Sequence, residues 1–329
     1  MGCEDMISLD SIKILFPYKG IVNSFNNMYY TEHIVKRNGI AYYTEYKLAG
    51  VKHEGLKSIC INVVKDEVII ELSSKIIAST HASLISLLNI DDVFQEINNT
   101  GFIELNIPKA IRNSILLKCD VTCDLILSKD VPDYIFILQL YKLNPHYLVT
   151  SYGRNGVTFS NRAKSKYQRI SFYDKCKESK NPRHKGVLRI ERNLNSYQTI
   201  RDAFHIDKCR IVKQRGSKYI HCPDLLTVLH SKANPLLSLI NEICNNLNSC
   251  LTLPSKLSDI EKHLGMMSLI KMCDYDIDII KTVIKKRVKG DVSHIIKKYQ
   301  TLMLYMHTTT IAPSMISDID EIKQELSKI

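Results

Sequence analysis

Three short stretches of this 329-residue chain put reactive side chains where a β-strand would otherwise carry apolar ones. In ILLKCDVTCDLIL, alternation at period two sets Asp120, Thr122 and Asp124 on one face, and Cys119, Val121 and Cys123 on the other. In DEVIIEL, Glu71 interrupts an apolar run. In GVLRIERNL, Glu191 shares a face with Arg189, and Ile190 with Leu188. A carboxylate inside a central strand is costly unless it is paired or binds a metal. Two or three such carboxylates converging on one sheet face would offer hard oxygen ligands, suited to magnesium or manganese. The plainer alternative is that each acid pairs with a nearby Arg or Lys, or faces water.

ISFYDK adds a nucleophile. Alternation puts Ser171, Tyr173 and Lys175 on one face, with Phe172 and Asp174 on the other. A tyrosine hydroxyl can attack a phosphodiester if its proton leaves and the phosphate charge is neutralised. Lys175 is placed to lower the tyrosine pKa or to hold the phosphate. With 17 tyrosines in the chain, a strand tyrosine used for packing is the competing reading. Gly50-Val51-Lys52-His53-Glu54-Gly55-Leu56-Lys57-Ser58 nearly spells a phosphate loop, but Leu56 displaces the required Lys, so no ATPase is inferred. The ten cysteines form no CxxC pair and read as packed free thiols.

Charge narrows the partner. Lys and Arg number 45 against 34 Asp and Glu, a net of +11. Residues 142–220 alone hold 19 basic and 5 acidic side chains. Arg154, Arg162, Lys164, Lys166, Arg169, Arg189 and Arg192 in this block are the expected DNA contacts, interleaved with Tyr152, Phe159, Tyr167 and Phe172. Such a block suits a polyanion whose bases can stack, with RNA as well as DNA open at this point. A merely solvated basic face is the alternative. No stretch approaches the roughly 18 apolar residues of a membrane span, and a cytoplasmic protein is expected.

The elements that must position these groups follow from periodicity. Strands are expected at SLDSIKILFPY, across Thr31–Lys47, on both arms of a hairpin turning at Lys65-Asp66, at SILLKCDVTCDLILS, and at GVTFS, YQRISFYDK and GVLRIERNL. Helices are expected before Gly101 and at VPDYIFILQLYKL. After Pro223 every segment carries helical apolar spacing. The expected fold is α+β: a central, largely antiparallel sheet with flanking helices over residues 1–220, then an all-helical C-terminal domain over 223–329 for origin binding or oligomerisation.

The order IIELSSKII, CDVTCDL, GVTFSNRAKSKYQRISFYDKCKE, GVLRIERNL resembles the replication initiators of filamentous phages and small rolling-circle plasmids, the gene II or replication-initiation-factor type. Tyr173-Asp174-Lys175, then Glu178, then Arg189-Ile190-Glu191 carry the likeness, which spans about residues 7–210. The resemblance implies a nicking-endonuclease-like fold and a metal-dependent DNA nicking and rejoining enzyme. Tyr173 would be the nucleophile forming a 5′-phosphotyrosine, Lys175 its assistant, and Asp120, Glu191 and Glu71 the ligands of Mg2+ or Mn2+. The released 3′-OH would prime a host polymerase, with a host helicase and a homodimer as further partners and no membrane. The rival expectations are a non-catalytic DNA-binding copy-control protein and a relaxase or transposase-like nickase. The chain lacks the His-hydrophobe-His metal motif of the wider nicking superfamily, which leaves carboxylates as the expected ligands.

Overall fold

A computed structural model describes residues 7–37, 40–49, 53–77, 84–140, 147–161, 168–213, 219–248, 257–274 and 276–329. The strands are β1 (Leu9–Phe16), β2 (Val22–Phe25), β3 (Tyr30–Arg37), β4 (Ile40–Leu48), β5 (Leu56–Asn62), β6 (Glu67–Ser73), β7 (Ile103–Leu105), β8 (Ile115–Ile126), β9 (Tyr147–Ser151), β10 (Gly156–Asn161), β11 (Gln168–Asp174), β12 (Val187–Leu194), β13 (Arg210–Lys213) and β14 (Tyr219–Cys222). The helices are α1 (Ile90–Asn99), α2 (Ile107–Asn113), α3 (Val131–Leu140), α4 (Lys175–Ser179), α5 (Tyr197–Phe204), α6 (Leu225–Leu229), α7 (Pro235–Asn248), α8 (Leu257–Met272), α9 (Ile277–Arg287) and α10 (Ser293–Ser327).

Ten strands join one sheet in the order β3-β4-β5-β6-β1-β8-β12-β11-β10-β9, and neighbours run antiparallel throughout. The α+β class and the antiparallel sheet agree with the sequence pattern. The β5–β6 hairpin turns through Val63–Asp66, where Asp66 takes the left-handed conformation at φ +59°. Gly55, from the near-miss phosphate loop, sits in a turn that leads into β5 rather than into a helix. A side chain there would meet the Ile76 backbone nitrogen at 2.1 Å. Close backbone packing, not a phosphate cradle, is what this glycine serves.

One sheet face is apolar. Ile12, Ile14, Phe16, Ile70, Leu72, Val121, Cys123, Leu125, Phe159, Phe172, Leu188 and Ile190 lie on it and are buried. Helices cover that face through their own apolar stripes. In α1 the stripe is Ile90, Val93, Phe94 and Ile97, the spacing of one helix side. α2 opens with an Asn106 cap and Pro108, and α5 with a capping box between Ser196 and Thr199.

The division of the chain differs from the expected boundary near 220. Leu225, Val228, Leu229, Leu236, Leu239, Ile240 and Ile243, with Ile319, Ile322 and Leu326 from the end of α10, all belong to the main core. A second, smaller core holds Ile270, Cys273, Ile280, Ile284, Val292 and Leu302. So α6, α7 and the last turns of α10 complete the sheet domain, while α8, α9 and the start of α10 form a separate helical unit. Helical periodicity reports helices but not what they pack against. Among the described residues, no helix is long and apolar enough to cross a membrane.

Phe172 lies fully buried behind the tyrosine strand and meets Phe159 edge to face at 6.0 Å. Phe172→Ala is expected to cost about 3–5 kcal/mol through the cavity it leaves. Urea denaturation checks this; a loss below about 1 kcal/mol would mean the strand is not anchored there.

Candidate active site

The second face of the sheet is polar where β10, β11, β12, β8 and β1 run side by side. Register aligns their outward residues into rows. One row pairs Arg169 with Asn193, Asn193 with Asp120, and Asp120 with Ser11. The next pairs Thr158 with Ser171, Ser171 with Glu191, and Glu191 with Thr122. The third pairs Gly156 with Tyr173, Tyr173 with Arg189, and Arg189 with Asp124. Opposite residues in such rows stand close enough for their side chains to interact.

Hydrogen bonds knit the rows. Ser11 Oγ and Asn193 Nδ2 both donate to the Asp120 carboxylate, and Arg169 Nε donates to Asn193 Oδ1 at 2.6 Å. Arg189 is buried and donates through Nε and Nη2 to both Asp124 oxygens, at 2.5 and 2.6 Å. Its Nη1 lies 3.6 Å from Asp10. The Tyr173 hydroxyl crosses from its own row to the neighbouring one and donates to Glu191 Oε1. Gly156 makes room for this tyrosine: a Cβ there would stand 3.1 Å from the Tyr173 Cβ.

Asp10 reaches the site through a backbone irregularity. Between Leu9 and Ser11, β1 advances two residues while β8 advances one, from Val121 to Asp120. That is a β-bulge, a device that re-aims a side chain. Asp10 accepts a hydrogen bond from Ser74 Oγ at 3.0 Å and faces Arg189. Alternation and motif spacing do not single out Asp10, Ser11 or Asn193. The signal available is Asp10-Ser11 within an otherwise apolar strand, and Asn193 two places beyond Glu191.

Electrostatics follow from this crowding. Burial raises the Glu191 carboxyl above its ordinary value. The Tyr173 hydrogen bond and Arg189 pull it back, while Asp10 and Asp120 push it up. Burial and then the Glu191 charge raise the Tyr173 hydroxyl, which Arg189 partly offsets. Burial also pushes the Cys123 thiol up to about 12, as suits a packed free cysteine rather than a reactive one.

The expected groups fare unequally. Asp120, Glu191 and Tyr173 share the polar face. Glu71 lies on the same face but is taken up locally: it pairs with Lys13 at 3.1 Å and Lys118 at 3.8 Å, the local pairing that was the plainer alternative. Lys175 is not on the strand, because β11 ends at Asp174, whose side chain caps α4 by accepting from the Lys177 N–H. Lys175 Nζ instead reaches the site from the helix start, 5.9 Å from the Tyr173 ring centroid and 2.7 Å from Glu178. Glu178 thereby gains a structural partner that the sequence did not suggest.

Arg154 and Arg169 are exposed, whereas Arg162, Lys164 and Lys166 lie outside the described residues. Two of the expected DNA contacts are corrected. Arg192 alternates to the apolar face, is buried, and donates to the Pro235 carbonyl, so it holds α7. Arg189 is buried between acids rather than free at the surface. Exposed cations do occur in the segment joining β11 to β12: Lys177, which lies 3.9 Å from Asp174, and Lys180, Arg183 and Lys185.

Among the described residues, no group of three or more His, Cys, Asp or Glu side chains is placed to hold a metal ion. Asp120 and Glu191 supply hard oxygen donors; both Asp120 oxygens accept from Ser11 and Asn193, and Glu191 Oε1 accepts from Tyr173.

A carboxyl whose folded pKa lies above its unfolded value binds more protons in the native state. Stability then falls as pH rises from the unfolded value through the folded one. For Glu191 that window opens near the ordinary 4.5 and extends upward. Glu191→Gln is therefore expected to melt above the wild type at pH 7, with the gap closing as pH falls toward 4.5. Thermal melts across pH check this; a variant that melts lower at pH 7 would contradict the burial cost.

No family model matches the chain, and no curated protein matches its sequence.

Proposed function

We propose that the chain is a DNA nicking and joining enzyme of the rolling-circle initiator type, with Tyr173 as nucleophile. The observation that carries the reading is the Tyr173 hydroxyl donating to Glu191 on the polar sheet face, where both side chains stay partly exposed, with exposed cations in the β11–β12 segment that follows. A nucleophile bonded to a potential base is the arrangement covalent catalysis needs. A phenolate at rest is disfavoured here, so the proton leaves as the new bond forms. Tyr173 Oη attacks the scissile phosphorus, its proton passes to Glu191, and the bond to the 3′ oxygen breaks. That oxygen takes a proton from solvent, leaving a 5′-phosphotyrosine and a 3′-OH. Reversal rejoins the strand without a nucleotide, because the phosphotyrosine keeps the bond energy.

Arg189, fixed by Asp124 and Asp10, sets a positive charge next to the tyrosine, and Lys175 sets another above its ring. Lys177, Lys180, Arg183 and Lys185 hold the strand by its phosphates. A bound Mg2+ or Mn2+, for which Asp120 and Glu191 offer oxygen donors, would neutralise charge on the phosphate. The nicking-endonuclease-like fold, the cytoplasmic location, and the host polymerase and helicase as partners belong to the same proposal.

One observation favours the non-catalytic alternative. Burial and the Glu191 charge raise the Tyr173 pKa, as for a tyrosine that only packs. Tyr173→Phe separates the two. In the nicking reading it lowers cleavage of supercoiled origin DNA by at least about a thousandfold, as removal of a nucleophile does, and leaves DNA affinity within about twofold. Cleavage at the wild-type rate would exclude Tyr173. A metal titration accompanies it: wild-type nicking is expected to rise with Mg2+ or Mn2+ and to vanish in chelator, and nicking indifferent to chelator would remove the cation from the reading.

A further inference from the structure

The helical unit built on the second core has a surface that the sheet chemistry leaves unused. α8 and α9 are joined by the four residues 273–276, the short connection of a helix-turn-helix pair. Asp276 caps α9, its Oδ1 accepting from the Asp278 and Ile279 N–H groups. Ile280 and Ile284 turn inward to the small core with Ile270, Cys273 and Leu302. Ile277 and Val283 pack partly against it, while Asp278, Ile279, Lys281, Thr282, Lys285, Lys286 and Arg287 are exposed.

The charge on this helix is divided lengthwise. Acids stand at its N-terminal end, with Asp274, Asp276 and Asp278, and cations from Lys281 to Lys289. Among the described residues, Lys281, Lys285, Lys286 and Arg287 form no ion pair with a carboxylate. The helix dipole accounts for cations in the last turn of α9. It does not account for Lys281, a turn earlier, or for Ile279, which leaves about half its surface in water.

We infer that the C-terminal half of α9 binds the phosphate backbone of duplex DNA, through Lys281, Lys285, Lys286 and Arg287. The acids at the opposite end repel phosphate, so the helix lies with its C-terminal half against the backbone. This is a positioning contact, which carries affinity rather than base recognition. A separate small core supports the contact, and α10 runs from that core into the main one, which joins the contact to the sheet domain. The inference needs a nucleic-acid partner but not the tyrosine chemistry: it survives if Tyr173→Phe still nicks.

The test uses the full chain, a random 30-base-pair DNA duplex and a 30-nucleotide single strand, titrated at several salt concentrations. The variant is Lys281→Gln/Lys285→Gln/Lys286→Gln/Arg287→Gln. Removing one phosphate-binding cation is expected to shrink the slope of log affinity against log salt by about one. The variant should bind duplex at least tenfold more weakly, with a slope shallower by about three, while single-strand binding stays within twofold. Asp278→Asn should tighten duplex binding, a gain that misfolding does not produce. Unchanged duplex affinity and slope would overturn the inference. So would an equal weakening on duplex and single strand, which would mark the face as a general polyanion surface, or no gain from Asp278→Asn.

Discussion

The site depends on strand register. Across five neighbouring antiparallel strands, apolar residues fall on the helix-covered face and polar ones on the other, apart from the irregularities of β1. A slip of one residue in β12 would send Glu191 and Arg189 into the core and bring Ile190 to the surface. The apolar side forbids that slip, because Leu188, Ile190 and Phe172 have no exposed area to give up. Packing on one side thus fixes chemistry on the other. The bulge at Asp10 breaks the alternation of β1 beside the site, and it adds a carboxylate.

The polar face carries internal repulsion. Asp10 and Asp120 make Glu191 harder to ionise, with Arg189 the buried cation set among them. Arg189 is satisfied by a bidentate bond to Asp124, the strong form of such a pair. Its geometry is therefore held before any ligand arrives. A buried arginine that is already paired stabilises charge nearby but does not reach out to grip a flexible strand. In the proposed function that task falls to the exposed cations between β11 and β12.

Much of this is legible from residue order. Period-two alternation places Asp120, Thr122 and Asp124 together, and Glu191 with Arg189, and the sheet agrees. The β5–β6 turn at Lys65-Asp66 and the helices after Pro223 are likewise readable. What fails does so for physical reasons. Alternation extends the strand through Lys175 because it has no stop signal, whereas Asp174 caps a helix there. It sets Glu71 on the right face, but residue order does not reveal that Lys13 and Lys118 flank it across β1 and β8. Arg192 reads as a surface cation because its burial rests on α7, more than forty residues away, through Pro235. The expected domain boundary is misplaced because α6, α7 and the end of α10 return to the first core.

The account stands on Tyr173 forming a covalent bond to DNA. The most direct measurement is mass spectrometry of proteolytic fragments after the wild-type protein has reacted with a cleavable origin oligonucleotide. The account predicts a nucleotide-bearing peptide whose fragment ions place the added phosphate on Tyr173. An adduct on a different residue, or cleaved oligonucleotide with no adduct at all, would contradict it.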